Sequence, residues 1–237
     1  MARIRLHRLA VLVAVWAAAG LAAAPTAAQA AAVHVKVRVE GPTHTVTQSI
    51  QVPITGTFAG HTLSGPTALG GLLAASRHRH FPVGLEWFDC CGFFVNSVAG
   101  VPGDARHFWA FKVGHTLSSV GAGAVTATPG MSTLFYFTSF DPDTGATEPT
   151  LGLDPAHRTI ARGGTLTFTV TSWNDAGHGS AAGGAWVNVD GIATRADSTG
   201  HLTVQFTHTG TFPVRATLPG TIRSRTIWVH VTRSGSG

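Results

Sequence analysis

Hydrophobic and polar positions alternate strictly where the chain first becomes regular. Val33, Val35, Val37 and Val39 fall on one side, and His34, Lys36, Arg38 and Glu40 on the other. A period of two predicts a half-buried strand, turned at Gly41-Pro42 and answered by a hairpin partner over 45–54. After Gly65-Pro66 the period lengthens. Ala68, Leu69, Leu72, Leu73 and Ala75 make one apolar stripe, Arg77 to His80 put positive charge at its C-terminal end, and Pro82 stops it. This predicts a short amphipathic helix. Strands follow over 83–88, 93–98, 107–113 and 133–138. Three of them break the alternation: Phe93-Phe94, Phe108-Trp109 and the run Leu134-Phe135-Tyr136-Phe137 place large apolar side chains on both faces. Both faces of that sheet must therefore be covered. The helix can cover one, and what covers the other is the functional question.

Turn residues cluster from Asp141 to Pro149 while apolar ones disappear, so 141–152 reads as a linker. Beyond it the pattern is wholly β. Leu166, Phe168 and Val170 alternate with threonines, as do Leu202, Val204 and Phe206, then Phe212, Val214 and Ala216, and finally Ile227, Val229 and Val231. Short alternating strands separated by turn signals predict a β-sandwich. The expected fold class is thus α+β over 31–140, with one main helix on a mixed sheet, followed by an all-β sandwich over 153–237.

Residues 1–30 stand apart. Arg3, Arg5 and Arg8 precede an apolar stretch from Leu9 to Ala24, and Ala28-Gln29-Ala30 has the small-x-small form of a cleavage site. A secretory signal peptide cut before Ala31 is expected, placing the mature chain outside the cell or at its surface. No later apolar run has spanning length, so no integral membrane segment is expected in the mature chain. The leader also changes the charge. The formal +5 includes its three arginines and falls to +2 without it, and the remaining basic residues are scattered. Nucleic acid is therefore not an expected partner.

Candidate chemistry is sparse. Cys90 and Cys91 are the only cysteines. Adjacent Cα atoms lie about 3.8 Å apart, below the usual disulfide span of about 4.4–6.8 Å. The alternatives are a strained vicinal bridge at a turn, or one buried thiol with a free or intermolecular partner. His78 and His80 make at best half a metal site. Gly177-His178-Gly179-Ser180-Ala181-Ala182 precedes a strand, not the helix that a dinucleotide fingerprint requires. Asp141, Asp143 and Gly145 lack two ligands of a calcium loop. No Gly-x-Ser-x-Gly elbow occurs, and Glu86 and Asp89 fall on opposite faces of a short strand. Neither an enzyme nor a metal protein is expected. The aromatic strands remain: Phe94, Asn96 and Phe108 would form an apolar patch for a small flat hydrophobic ligand or for an extracellular or cell-wall partner surface. The alternative is that both faces are buried and the protein is purely structural or adhesive, with no small-molecule site.

Several of these segments resemble a known family. The helix from Thr67 to Ala75, Phe93-Phe94-Val95-Asn96-Ser97-Val98-Ala99-Gly100, Phe108-Trp109-Ala110-Phe111-Lys112-Val113, Ser119-Val120-Gly121-Ala122, and Pro129-Gly130 before Leu134-Phe135-Tyr136-Phe137 occur in the order of the DUF4430 domain. That domain is similar to the C-terminal domain of transcobalamin and intrinsic factor. The resemblance implies a β-grasp-like fold over roughly 33–140, adds Trp109 to the candidate ligand-binding residues, and implies a cobalamin-like corrinoid as ligand. In transcobalamin the ligand lies between this domain and an α-helical barrel that has no counterpart in these 237 residues. Residues 153–232 resemble a bacterial Ig-like domain through Gly184-Ala185-Trp186-Val187-Asn188-Val189, Ser198-Thr199-Gly200 and Gly210-Thr211-Phe212-Pro213-Val214-Arg215-Ala216.

Overall fold

The alternating segment at Val33 forms strand β1 (Val33–Glu40), and it becomes an inner strand of the first sheet. β1 pairs antiparallel with β2 (Thr45–Ile54) on one side. The computed structural model describes residues 33–54, 57–58, 61–62, 66–89 and 91–233; the expected signal peptide and Cys90 lie outside them. A two-residue-stranded hairpin, β3 (Thr57–Phe58) and β4 (His61–Thr62), leads to helix α1 (Ala68–Arg79). Next come β5 (Val83–Phe88), β6 (Gly92–Val98) and β7 (Val101–Pro102), a separate three-stranded sheet. β8 (His107–Val113), β9 (Thr116–Leu117) and β10 (Ser132–Ser139) complete the large sheet in the order β2-β1-β10-β8-β9, with β1 and β10 parallel.

Thr67 caps α1, its hydroxyl accepting from the Gly70 N–H at 3.2 Å, and His80 closes it in the left-handed region at φ 56°. Ala68 to Ala75 are buried and Arg77 to His80 are exposed. The helix comes very close to the sheet: a Cβ on Gly71 would lie 3.1 Å from Val35 Cγ2 and 3.2 Å from Val37 Cγ2. Leu69 and Leu72 pack there with Val35, Val37, Val39, Trp109, Phe111 and Phe135, and the small sheet adds Phe93, Val95 and Val98.

The second half holds β11 (Thr150–Pro155), β12 (Thr159–Ala161), β13 (Thr165–Trp173), β14 (Gly179–Ala181), β15 (Trp186–Val189), β16 (Ile192–Arg195), β17 (His201–Gln205), β18 (Gly210–Thr217) and β19 (Ile227–Thr232). One sheet runs β11-β13-β14 with β17 also on β13; the other runs β12-β19-β18-β15-β16. Their inner faces share a core of Leu153, Leu166, Phe168, Val170, Val187, Val214 and Val229. Residues 141–147 form a hydrogen-bonded turn, with Phe140 bridged to Thr147, and β11 begins at Thr150, inside the stretch read as linker.

The expected α+β class is overturned. The described residues hold nineteen strands and one helix of 12 residues, a mostly β, sandwich-like architecture. The helix is too short to define a layer: it covers part of one face of the large sheet. The opposite face, polar along β1 and apolar on β8 and β10, is covered by the second β lobe. The described residues belong to one compact unit.

Along β1 that covered face carries a charge network, beside the apolar residues of β8 and β10. Glu40, 1% exposed, accepts from Arg38 Nε at 2.8 Å and from Arg223 at 3.3 Å, and Arg215 lies at 3.7 Å. Arg38 also donates to the Arg223 carbonyl at 2.5 Å, and Gln48 exchanges two hydrogen bonds with Thr226. Burial lowers the pKa of Arg38 and of Arg215, against the pull of Glu40. The Arg215 Nε is buried without an acceptor. Farther along, Lys112 is fully buried and reaches the Trp173 and Asn174 carbonyls at 3.3 and 3.1 Å and Asp175 at 3.3 Å. Desolvation lowers its pKa, Asp175 opposing. Asp175 in turn takes the Thr147 hydroxyl at 2.6 Å, which is 2.8 Å from the Tyr136 hydroxyl. Burial raises the Tyr136 pKa far above its usual value.

Candidate functional site

β6 and β8 lie in different sheets, and the aromatic residues predicted from sequence meet where those sheets face each other. A cleft of about 270 Å³ opens there between Phe93–Val95, Phe108–Phe111, the segment 117–122, Phe135 and Phe140. No charged side chain among the described residues lines it. Its rim is unusually apolar for a surface: Phe94 is 46% exposed, Val120 51% and Phe140 55%.

Phe94 points outward because its neighbours Phe93 and Val95 turn into the core. Its ring meets Phe88 edge-on, with centroids 6.3 Å apart. On the facing wall Phe108 is stacked on Phe140 at 4.2 Å and 28°. Trp109 is 5% exposed and fixed at both ends, its indole N–H donating to the Val101 carbonyl at 2.9 Å and its ring meeting Phe137 edge-on. It therefore contributes to the wall as a rigid surface with its polar group already satisfied. The loop from Leu117 to Ala122 closes one end, and the Ser118 hydroxyl donates to the Val120 carbonyl at 2.9 Å.

Phe94, Phe108 and Trp109 are thus brought to one cleft, and Asn96 is not. The pairing of β5 with β6 slips between Gly84 and Leu85, so Asn96 is the extra residue of a bulge. Alternation is reset there: Phe93 and Val95 are buried before it and Val98 after it. The Asn96 side chain instead lies over Gly84, where any Cβ would collide with Asn96 and Ser97. Cleft residues missed from sequence include Leu117, Val120 and Phe140. Phe140 had a readable signal, since it continues the face of Leu134, Tyr136 and Thr138; Val120 lies in an irregular loop, where periodicity says nothing.

Cys91 lies at the β5–β6 turn, exposed and disulfide-bonded. His78 and His80 end the helix exposed. Among the described residues no group of three or more His, Cys, Asp or Glu stands close enough to hold a metal ion. One acid, hydroxyl and imidazole do come together: Thr199 Oγ1 is 2.7 Å from Asp197 and 2.9 Å from His201 Nδ1. The carboxylate, however, bonds the hydroxyl and the Thr199 and His201 N–H groups, not the imidazole, on an exposed turn. That is a turn-capping device, in which nothing orients the histidine as a base.

No family model matches this sequence, and no curated protein does. The DUF4430 resemblance therefore rests on the quoted segments alone. Among solved structures, the crystal structure of haptocorrin in complex with Cbi is similar over 46% of this chain, at 17% identity and a TM-score of 0.38. This chain spans 25% of that one. The D0-D1 domain of intimin is similar over 58% of this chain and 88% of its own, at 11% identity and a TM-score of 0.24. Neither likeness is close enough to bear on what this chain binds. No helix among the described residues is long and apolar enough to cross a membrane.

Proposed function

We propose that the chain is an exported, non-enzymatic binding module whose aromatic cleft receives a flat, mostly apolar ligand. The observation that carries this reading is the pair of aromatic walls, Phe94 on β6 and Phe108 stacked on Phe140, held apart by two separate sheets with no charged group between them among the described residues. A solvent-facing apolar surface of that kind raises the free energy of the free protein, and a ligand recovers it. At about 270 Å³ the cleft lies just below the usual range for a drug-sized site, roughly 300–1,000 Å³. It suits a small ring system, or one edge of a larger planar molecule. A corrinoid, the ligand implied by the family resemblance, would be gripped along one edge only, so its affinity for this chain is expected to be micromolar at best.

The test is a titration of the mature protein with cobinamide, cobalamin and 1-anilinonaphthalene-8-sulfonate, an anionic dye that binds apolar surface, following tryptophan quenching. Quenching that saturates, and that Phe94→Ala weakens about tenfold (about 1.4 kcal/mol), supports the cleft. Saturation by the dye but by neither corrinoid removes the corrinoid, and keeps the apolar site only where Phe94→Ala weakens the dye. Silence from all three removes the site.

The second reading, a structural or adhesive protein, is favoured by a specific observation. Ala110, Leu134 and Tyr136, on the same sheet face as Phe108, are packed against Ile222 of the second lobe. If the cleft proves silent, covering that face is all the aromatic pattern does.

A further inference from the structure

Six cations gather along the seam between the lobes: Lys36, Arg38, Arg158, Arg215, Arg223 and Arg225. Among the described residues two carboxylates, Glu40 and Asp154, stand with these six, and the Lys112–Asp175 pair farther along the seam is self-compensating. Glu40 is spent on Arg38, Arg215 and Arg223. Asp154 reaches Arg225 only at 3.5 Å, with both side chains largely exposed. Lys36 and Arg158 have no ion pair among the described residues. A chain whose formal charge without its leader is only +2 has therefore concentrated positive charge on one line, where mutual repulsion costs stability.

Two concavities open along that line, of about 270 and 350 Å³, and they share Lys36, Ser49 and Arg225. The larger also contains Gln51, Arg158 and Trp228, whose indole is 50% exposed. Cations, neutral hydrogen-bonding side chains and one bare indole in one groove make a specific combination. Guanidinium groups pair with carboxylate, sulfate or phosphate oxygens, often two bonds at a time. Ser49 and Gln51 can bond hydroxyls, and a flat indole face takes the C–H face of a sugar ring.

We propose that this groove binds an anionic polysaccharide, with a sugar ring on Trp228 and its acidic groups on Lys36, Arg158 and Arg225. A single-stranded nucleic acid would also use cations and stacking, but successive bases call for several aromatic platforms. The larger concavity offers one aromatic ring among the described residues, Trp228, beside amide and hydroxyl groups, and His115 in the smaller one is already stacked on Trp173. This site is separate from the aromatic cleft and stands or falls without it.

The experiment measures binding of the mature chain to heparin, polygalacturonate, neutral dextran and oligo(dT) at several salt concentrations. Heparin and polygalacturonate should bind with affinity that falls as salt rises, and dextran should not bind. The variant K36Q/R158Q/R225Q should lose at least tenfold, with its thermal midpoint checked to show that it folds; K36Q alone should lose about threefold. Trp228→Ala should weaken glycan binding about fivefold at unchanged salt dependence. Arg195→Gln, which removes one charge outside both concavities, should match the parent. Equal binding by the parent and the triple variant overturns the site, as does an Arg195→Gln loss equal to that of K36Q. Oligo(dT) binding tighter than either glycan, with the same dependence on Trp228, replaces the glycan with nucleic acid.

Discussion

The two faces of the large sheet are buried by opposite means. Toward the helix, Val35, Val37 and Val39 of β1 meet Leu69, Leu72 and Phe135 with no charge among them, and Gly71 lets the backbones close in. Toward the second lobe, the same strand presents Lys36, Arg38 and Glu40, and burial is achieved by ion pairs and cross-lobe hydrogen bonds around a small apolar cluster. Apolar packing has no preferred direction and supplies stability, whereas a buried charge network costs desolvation and supplies a unique fit between partners. The first face holds a lobe together; the second fixes how two lobes meet.

Substitutions can break that contrast. Leu72→Ala should have the largest effect, about 3–4 kcal/mol, because a fully buried side chain facing the valines of β1 leaves a cavity. It should appear as a lower thermal midpoint by circular dichroism with the lobe contact still formed until unfolding. Glu40→Gln should cost about 2–3 kcal/mol, less than a fully buried pair because its arginines keep some solvent. Its signature should be qualitatively different: three guanidiniums lose their shared counter-charge, so calorimetry should resolve two transitions where the parent has one. A single transition in Glu40→Gln would show that the apolar cluster, not the network, couples the lobes.

The smallest effect is one of pH. His115 stacks on Trp173 of the other lobe, with centroids 3.9 Å apart, and burial, then the Lys112 charge, holds its pKa below 6.5. As pH falls through 6.5 the unfolded chain takes up this proton before the folded one, so stability declines from pH 7 toward 5. After allowance for solvent screening the slope amounts to a fraction of a kcal/mol. His115→Gln should flatten it, leaving the separate loss below pH 4, where Asp104, Asp141 and Asp197 lose the hydrogen bonds that keep their carboxyls ionised. An unchanged slope in that variant would remove His115 as its source.

Alternation made the strands legible. Val33 to Glu40, Leu166 to Val170 and Leu202 to Val204 lie in strands, and the stripe from Ala68 to Ala75 lies in a helix. The doubled aromatics announced that both faces of β8 and β10 are covered, and Phe94 and Phe108 did reach a common cleft. What periodicity could not carry was everything set by position across the chain. The polar side of β1 reads as a solvated face, yet Glu40 is buried and Arg38 largely covered because Arg223 and Arg215, about 180 residues away, meet them. Asn96 looked like a partner of Phe94 because a bulge leaves no mark in the residue types. The α+β expectation failed for a related reason. It took the helix to be the main cover for a sheet, where the chain uses another sheet.

The parallel pairing of β1 with β10 joins Lys36 to Ser132 and Glu40 to Tyr136. The first strand among the described residues thus waits about a hundred residues for the neighbour that completes its ladder, a long loop to close and a reason for slow folding. Until then its unpaired edge, alternating valine with charge, is an open template for any other chain. Lys36 and Arg38, set along that edge, are the sort of residues that keep a nascent strand from sticking to a stranger.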